Sequence, residues 1–189
     1  RLGRAVTRHL VELGLDEANF AVDLVPLESG QRQRYGMERI QFNVKTHHEM
    51  PHGPLERVAS GGELSRISLA LQLVTAEGTG VPTVIFDEVD AGIGGGVAQE
   101  VGKQMRELGG RRQVLCVTHL AQVASQAHNH VQVTKQLGPG TVDASFESLG
   151  DKTRVDEVAR MIGGIKITDQ TRAYAKEMLD VAQRSATPG

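Results

Sequence analysis

Ala59-Ser60-Gly61-Gly62-Glu63-Leu64-Ser65-Arg66, followed at Val84-Ile85-Phe86 by an apolar run ending in Asp87-Glu88, is the part of this 189-residue chain that decides its fold. Ser60 and Glu63 stand at capping-box spacing, and Leu64, Ile67, Leu71 and Val74 follow at helical intervals, so a helix is expected to begin here with that apolar face inward. Gly61 and Gly62 leave the first-turn amides uncovered. Such a helix start attracts anions, because its unpaired N–H groups and its dipole both favour negative charge. The second patch reads as a buried strand that delivers two adjacent carboxylates at its C-terminal end. Paired carboxylates there suit a hydrated magnesium ion and a water-activating base, the needs of phosphoryl transfer. Either patch alone is also what an ordinary capped helix or a solvated turn carries, so the weight rests on their combination with a third element.

That element is Val114-Leu115-Cys116-Val117-Thr118-His119, another apolar strand, which ends in a histidine. Between the two strands, Val97, Val101, Met105 and Leu108 mark one face of a helix. Strand, helix, strand implies a right-handed crossover between parallel strands. Both strands then present their last residues at one edge, where open α/β sheets bind ligands. Asp87, Glu88 and His119 are therefore expected to converge.

Taken together, ASGGELSR, TVIFDE and LCVTH resemble the signature motif, Walker B motif and switch histidine of the ABC-type ATPases. Val89-Asp90-Ala91-Gly92-Ile93-Gly94-Gly95 departs from the Pro-Thr-Ser-Ala-Leu-Asp type of loop of transporters and is similar to the SMC-like DNA-repair ATPases of the RecN family. Val158 to Gly164 and the helix expected from Thr168 to Leu179 agree, and the resemblance runs from about Gly14 to Ala182. It implies an α/β fold, the C-terminal lobe of an ABC-type ATPase head, with a largely parallel sheet flanked by helices plus antiparallel strands. It further implies that Asp87 holds Mg²⁺ through water, that Glu88 acts as general base, and that His119 contacts the γ-phosphate of ATP. Ser60, Gly61, Gly62 and Glu63 are assigned by it to ATP held by a second head, with Asp90 and Gly92 in the D-loop segment. Gly94 stands where a transporter has its D-loop aspartate, so that role is given to the segment Asp90 to Gly94.

An ATPase of this kind also needs a G-x-x-x-x-G-K-[ST] loop, whose amides and lysine hold the phosphates. The sequence contains none. Gly96 to Lys103 comes nearest, but its first glycine falls one position early and Gln104 replaces the hydroxyl. In SMC-like proteins the phosphate loop lies in an N-terminal half-head separated by a long coiled coil. The resemblance therefore implies a C-terminal half-head, inactive by itself, whose partners are the N-terminal half, a second head in an ATP-dependent homodimer, and DNA through the full-length protein.

Net charge is −2, which argues against a strongly basic nucleic-acid domain. No stretch reaches the eighteen or so apolar residues of a membrane span, and a single cysteine, Cys116, rules out an internal disulfide. No membrane contact is expected, and the compartment is read as cytoplasmic, at the nucleoid.

Residues 1–14 are expected to be a helix stopped at Gly14, by resemblance the end of a coiled-coil arm; 15–184 form the lobe and 185–189 a tail. Phe20 to Val25 and Arg39 to Lys45 alternate apolar and polar residues and predict an antiparallel ribbon around a Glu28 to Gly36 loop. Val131 to Lys135 and Thr141 to Leu149 predict a hairpin across Gly138-Pro139-Gly140. Two closing helices are expected to bury Val155, Val158, Ala159 and Ile162, then Ala175, Met178, Leu179 and Ala182. His47, His48 and His52 lack a nearby Cys or Asp to complete a metal set and read as loop histidines. The function implied is a head that sandwiches ATP between two copies and couples hydrolysis to repair of DNA double-strand breaks. The alternatives are a transporter-type ATPase subunit and a non-hydrolysing nucleotide switch or DNA clamp.

Overall fold

The computed structural model describes residues 1–28, 34, 36–57, 60–75, 81–138, 141–163 and 167–184. The expected tail, 185–189, and most of the 28–36 loop lie outside them. The first helix, α1 (Leu2–Glu12), stops in a Schellman arrangement: Gly14, at φ 76°, donates its amide to Val11 O, and Leu15 donates to Leu10 O. Strands β1 (Asn19–Pro26) and β2 (Glu38–Lys45) pair antiparallel as their alternation predicts, and the short β3 (Gly53–Pro54) joins β2. A 3-10 turn over Leu55–Arg57 leads toward α2 (Gly61–Thr75).

Strand β4 (Thr83–Phe86), helix α3 (Gly95–Gly109) and strand β5 (Gln113–Cys116) form the expected crossover unit, with β4 and β5 parallel and Phe86 opposite Cys116. A single turn, α4 (Ala121–Ala124), follows, then the antiparallel hairpin β6 (Val131–Gly138) and β7 (Thr141–Ser148). Helices α5 (Asp151–Gly163) and α6 (Asp169–Arg184) complete the described chain. Among the described residues the parallel part of the sheet is the single pair β4 and β5; the other two sheets are antiparallel.

The main core joins α1, α2 and α3 to the base of the ribbon and one side of β4 and β5, through Val6, Leu10, Phe20, Ile67, Leu69, Phe86, Val101 and Leu108. A smaller core of Ala121, Val158, Ala159, Ala175 and Leu179 links α4, α5 and α6. Arg154, nearly buried in α5, ties that second core to the end of α4 by donating to the carbonyls of Ala124, Ser125, Ala127 and His128.

Two readings of side-chain placement need correction. Leu64, expected inward, is 43 % exposed, whereas Arg66 is 6 % exposed and sits within the buried face of α2. In α5, Ile162 faces outward while Arg154 and Glu157 are covered. Both exchanges share a cause: Arg66 donates to two carbonyls, Arg154 to four, and Glu157 accepts from Gln132 and Arg160, which offsets part of their desolvation. The Nε atoms of Arg66 and Arg154 are nonetheless buried without a partner among the described residues. The α/β fold with flanking helices is as expected, and among the described residues one face of the β4–β5 pair carries no covering helix. Ile85, Leu115 and Val117 leave an apolar face open, at 68 %, 48 % and 63 % exposure.

Candidate functional site

At the C-terminal edge of β4 the chain turns sharply. Asp87 and Glu88 leave the strand exposed, and Glu88 takes φ 57°, the one non-glycine residue in the left-handed region among the described residues. A non-glycine side chain there costs of order 1 kcal/mol or more and persists only where its surroundings hold it. They do so by hydrogen bonds. The Glu88 amide donates to Asp87 Oδ1 at 2.9 Å, and the Ala91 amide donates to Glu88 O at 3.0 Å.

The start of α2 packs directly on this turn. Ser65 Oγ donates to Asp87 O at 2.7 Å, and Arg66 Nη1 donates to Ala91 O at 3.1 Å and to Val89 O at 3.4 Å. The contact is close, closest to the backbone at Gly62. A Cβ on Gly62 would stand 3.0 Å from Ala91 O and 3.2 Å from Glu88 O, and one on Gly61 would collide with Glu88 Oε2. The glycines that bare the first-turn amides thus also let the helix end approach the general-base candidate. Ser60, at the tip, is exposed; its Oγ accepts from the Glu63 amide at 3.4 Å, a long cap bond. Glu63 Oε1 lies 3.9 Å from His47 Nε2.

On the neighbouring strand, His119 follows β5 and its side chain is 73 % exposed. Beside it Asp90 is 3 % exposed. Burial, with Asp90 and Asp87 nearby, pushes the thiol of the half-buried Cys116 up to about 12, which favours its neutral form beneath the site. Burial also lowers the pKa of Arg66, with Glu63 acting in the opposite sense; a guanidinium stays charged regardless.

Gly61, Gly62, Asp87, Glu88, Asp90 and His119 therefore lie around one edge of the β4–β5 pair. Gly92 sits in the same loop at φ 74° with open space around it. Ser65, Arg66 and Thr118 carry contacts that no spacing rule marks, because each acts on a carbonyl or carboxylate more than twenty residues away in sequence. Asp87 offers an exposed carboxylate, a donor that fits magnesium held through water. Among the described residues no group of three or more His, Cys, Asp or Glu is placed to hold a metal ion, and His47, His48 and His52 form none.

No protein-family model matches the chain. Curated relatives do. The DNA repair protein RecN of Vibrio cholerae is 42 % identical over 181 residues, 96 % of this chain and 32 % of that protein. That of Xylella fastidiosa is 41 % identical over 182 residues, 96 % and 33 %, and that of Bacillus subtilis 34 % identical over 202 residues, 100 % and 35 %. The chain belongs to the RecN family. It spans about a third of the length of the curated RecN proteins it matches. Among solved structures, the SMC head domain with coiled coil and joint from Pyrococcus yayanosii aligns with a TM-score of 0.59 at 16 % identity, over 83 % of this chain and 28 % of that one. The SMC head with an extended coiled coil from Pyrococcus furiosus gives 0.54 at 18 % identity, over 84 % and 37 %. This RecN-family chain thus has the fold of an SMC head lobe, α/β as the motifs predict, with the three motif segments of the RecN type at its edge.

Proposed function

We propose that this RecN-family chain is the C-terminal lobe of an ATPase head in which residues from two heads close on one ATP, hydrolysis being coupled to repair of DNA double-strand breaks. The observation that carries the reading is the packing of the α2 start against the turn that presents Asp87 and Glu88, with His119 on the adjacent strand. In this assignment Asp87 holds Mg²⁺ through water, Glu88 accepts a proton from the attacking water, and His119 meets the γ-phosphate. Ser60, Gly61 and Gly62, with Glu63 in the first turn, face the nucleotide of the opposite head, while Asp90 and Gly92 belong to the loop between the heads. Magnesium, when bound, supplies charge neutralisation at the phosphates. A related solved structure, aligned at TM-score 0.52, concerns ATP-driven dimerization and DNA-stimulated activation of SMC ATPases, which supports this assembly by likeness of fold.

The remaining partner is the N-terminal half-head. Parallel sheets are normally covered on both faces, and the open face of Ile85, Leu115 and Val117 supports a second lobe seated there. We assign residues 1–14 to the end of the arm, 15–184 to the lobe and 185–189 to a tail. A cytoplasmic, nucleoid-associated setting follows from the repair function; no helix among the described residues is long and apolar enough to cross a membrane.

The test uses the complete protein. Glu88→Gln should leave ATP binding nearly intact, slow hydrolysis by about 10²- to 10⁴-fold, the span of a general base, and let ATP-bound dimers accumulate. Asp87→Asn should instead weaken magnesium-dependent binding. Equal loss of binding in both variants, with no trapped dimer, would overturn the assignment.

A further inference from the structure

Asp90 has a geometry that a nucleotide contact does not require. Its carboxylate is nearly removed from solvent, and two donors and a histidine ring nitrogen converge on one of its oxygens, Oδ2. Thr118 Oγ1 donates at 2.5 Å, the His119 amide donates at 3.1 Å, and His119 Nδ1 lies 3.3 Å away. The Thr118 hydroxyl that donates to Asp90 in turn accepts from the Leu120 amide at 3.1 Å, so the network closes on itself. A buried carboxylate with this many partners is a rigid post, because charge-assisted bonds are short, strong and costly to leave unmade.

We infer that Asp90 is a positioning residue for His119: its Oδ2 accepts the Nδ1 proton and the backbone amide of the histidine, fixing the ring and leaving Nε2 as the nitrogen that meets the nucleotide. This deepens the ATPase reading and rests on it. Nε2 lies on the far edge of the ring from Asp90, and the side chain is 73 % exposed, so a ligand reaches that nitrogen without disturbing the buried contact. The same oxygen spans two loops. Asp90 belongs to the turn that Arg66 holds through Val89 O and Ala91 O, so a displacement of that turn at the junction between heads moves the histidine with it. The tautomer of a histidine is set by the bond its other nitrogen makes; the corresponding partners of metal-bound histidines typically contribute about 10- to 100-fold in activity, the span taken here by analogy.

The experiment measures ATP turnover by the complete protein as Asp90→Asn, Asp90→Ala, His119→Ala and the double variants, with nitrogen NMR of histidine-labelled protein to read the His119 ring. Asp90→Ala should lower kcat by about 10- to 100-fold with KM for MgATP within about twofold. Asp90→Asn, which can place an amide oxygen where Oδ2 stands, should recover part of that loss and keep the fold if the alanine variant does not. Neither change should cost further turnover once His119 is alanine, since residues acting as one unit are not additive. The ring signal abolished by His119→Ala should show a proton on Nδ1 in the parent, and a mixture of tautomers in Asp90→Ala. The inference is overturned by a KM increase at unchanged kcat, by losses that add in full to that of His119→Ala, or by a parent ring protonated on Nε2 alone. A parent protein with no magnesium-dependent turnover would remove the ATPase reading itself, and the ring measurement would still decide the pairing.

Discussion

The guanidinium of Arg66 reaches across from α2 to the carbonyl of Ala91, 3.1 Å away, and so fastens the start of that helix to the turn carrying Asp87, Glu88 and Asp90. Through this bond and its companion to Val89 O, the anion-attracting helix end is tied to the turn that presents the carboxylates.

Arg66→Ala should therefore lower stability by about 1.5–3 kcal/mol, the range for hydrogen bonds to a charged group, and slow ATP turnover of the complete protein beyond what loss of folded protein explains. Arg66→Lys, a point donor without the planar fork, should keep only part of both. Chemical denaturation read beside turnover per folded molecule checks this; normal turnover in a folded Arg66→Ala protein would show that the helix and the turn work independently.

Ser60 separates a cap from a shared site. Its cap bond is long, so Ser60→Ala should cost about 0.5 kcal/mol, the low end for an N-cap. Ser60→Arg should block engagement of heads while ATP still binds at that head's own phosphate loop. Mixed with a phosphate-loop variant, it should form dimers with one intact composite site and one doubly defective site. Partial recovery of ATP-dependent dimerisation in the mixture is the expected result, and no recovery between folded proteins counts against sharing across heads.

The open sheet face predicts a context dependence. In this chain alone Ile85→Ala should change stability by about 1 kcal/mol or less, as at most exposed positions. In the complete protein, with the face covered, the same change should cost about 2–5 kcal/mol. Equal effects in both would argue that nothing seats on Ile85, Leu115 and Val117. The chain alone should also show no robust magnesium-dependent ATP turnover, restored when the half bearing the phosphate loop is added.

Cys116 gives a pH prediction. Its folded thiol is pushed up to about 12 from an ordinary 9.0, so the folded state keeps a proton that the unfolded state releases. The stabilisation is complete below about pH 9 and falls by about 1.4 kcal/mol per pH unit as pH climbs from there toward 12. Cys116→Ala should flatten that alkaline loss. Alkylation of the native chain at pH 8 should be slow and should accelerate on unfolding; rapid native labelling would contradict a half-buried, neutral thiol.

Much of the architecture was legible because it follows from local chemistry. The apolar runs at Val84 to Phe86 and Val114 to Cys116 with a helical stripe between them specify a parallel crossover, and Gly14 stops α1 at the expected turn. The ribbon and the hairpin β6–β7 follow from alternation and from glycine and proline between strands. Which edge carries the site follows as well, since parallel strands end together.

Other features depended on groups distant in sequence. Leu64 is exposed and Arg66 buried because the carbonyls of Val89 and Ala91 lie within reach of the guanidinium, and spacing along α2 holds no record of them. Asp90 reads as a member of the D-loop segment, with nothing to tie it to the histidine, until Thr118 and His119 are brought to its oxygen. Sequence by itself determined the elements, their order and the chemical types at the edge, because propensity and periodicity act over a few neighbouring residues. Only the tertiary structure decided which charged groups are buried, which face of the sheet stays open, and which carboxylate holds the histidine, because those depend on partners that long-range packing alone makes adjacent.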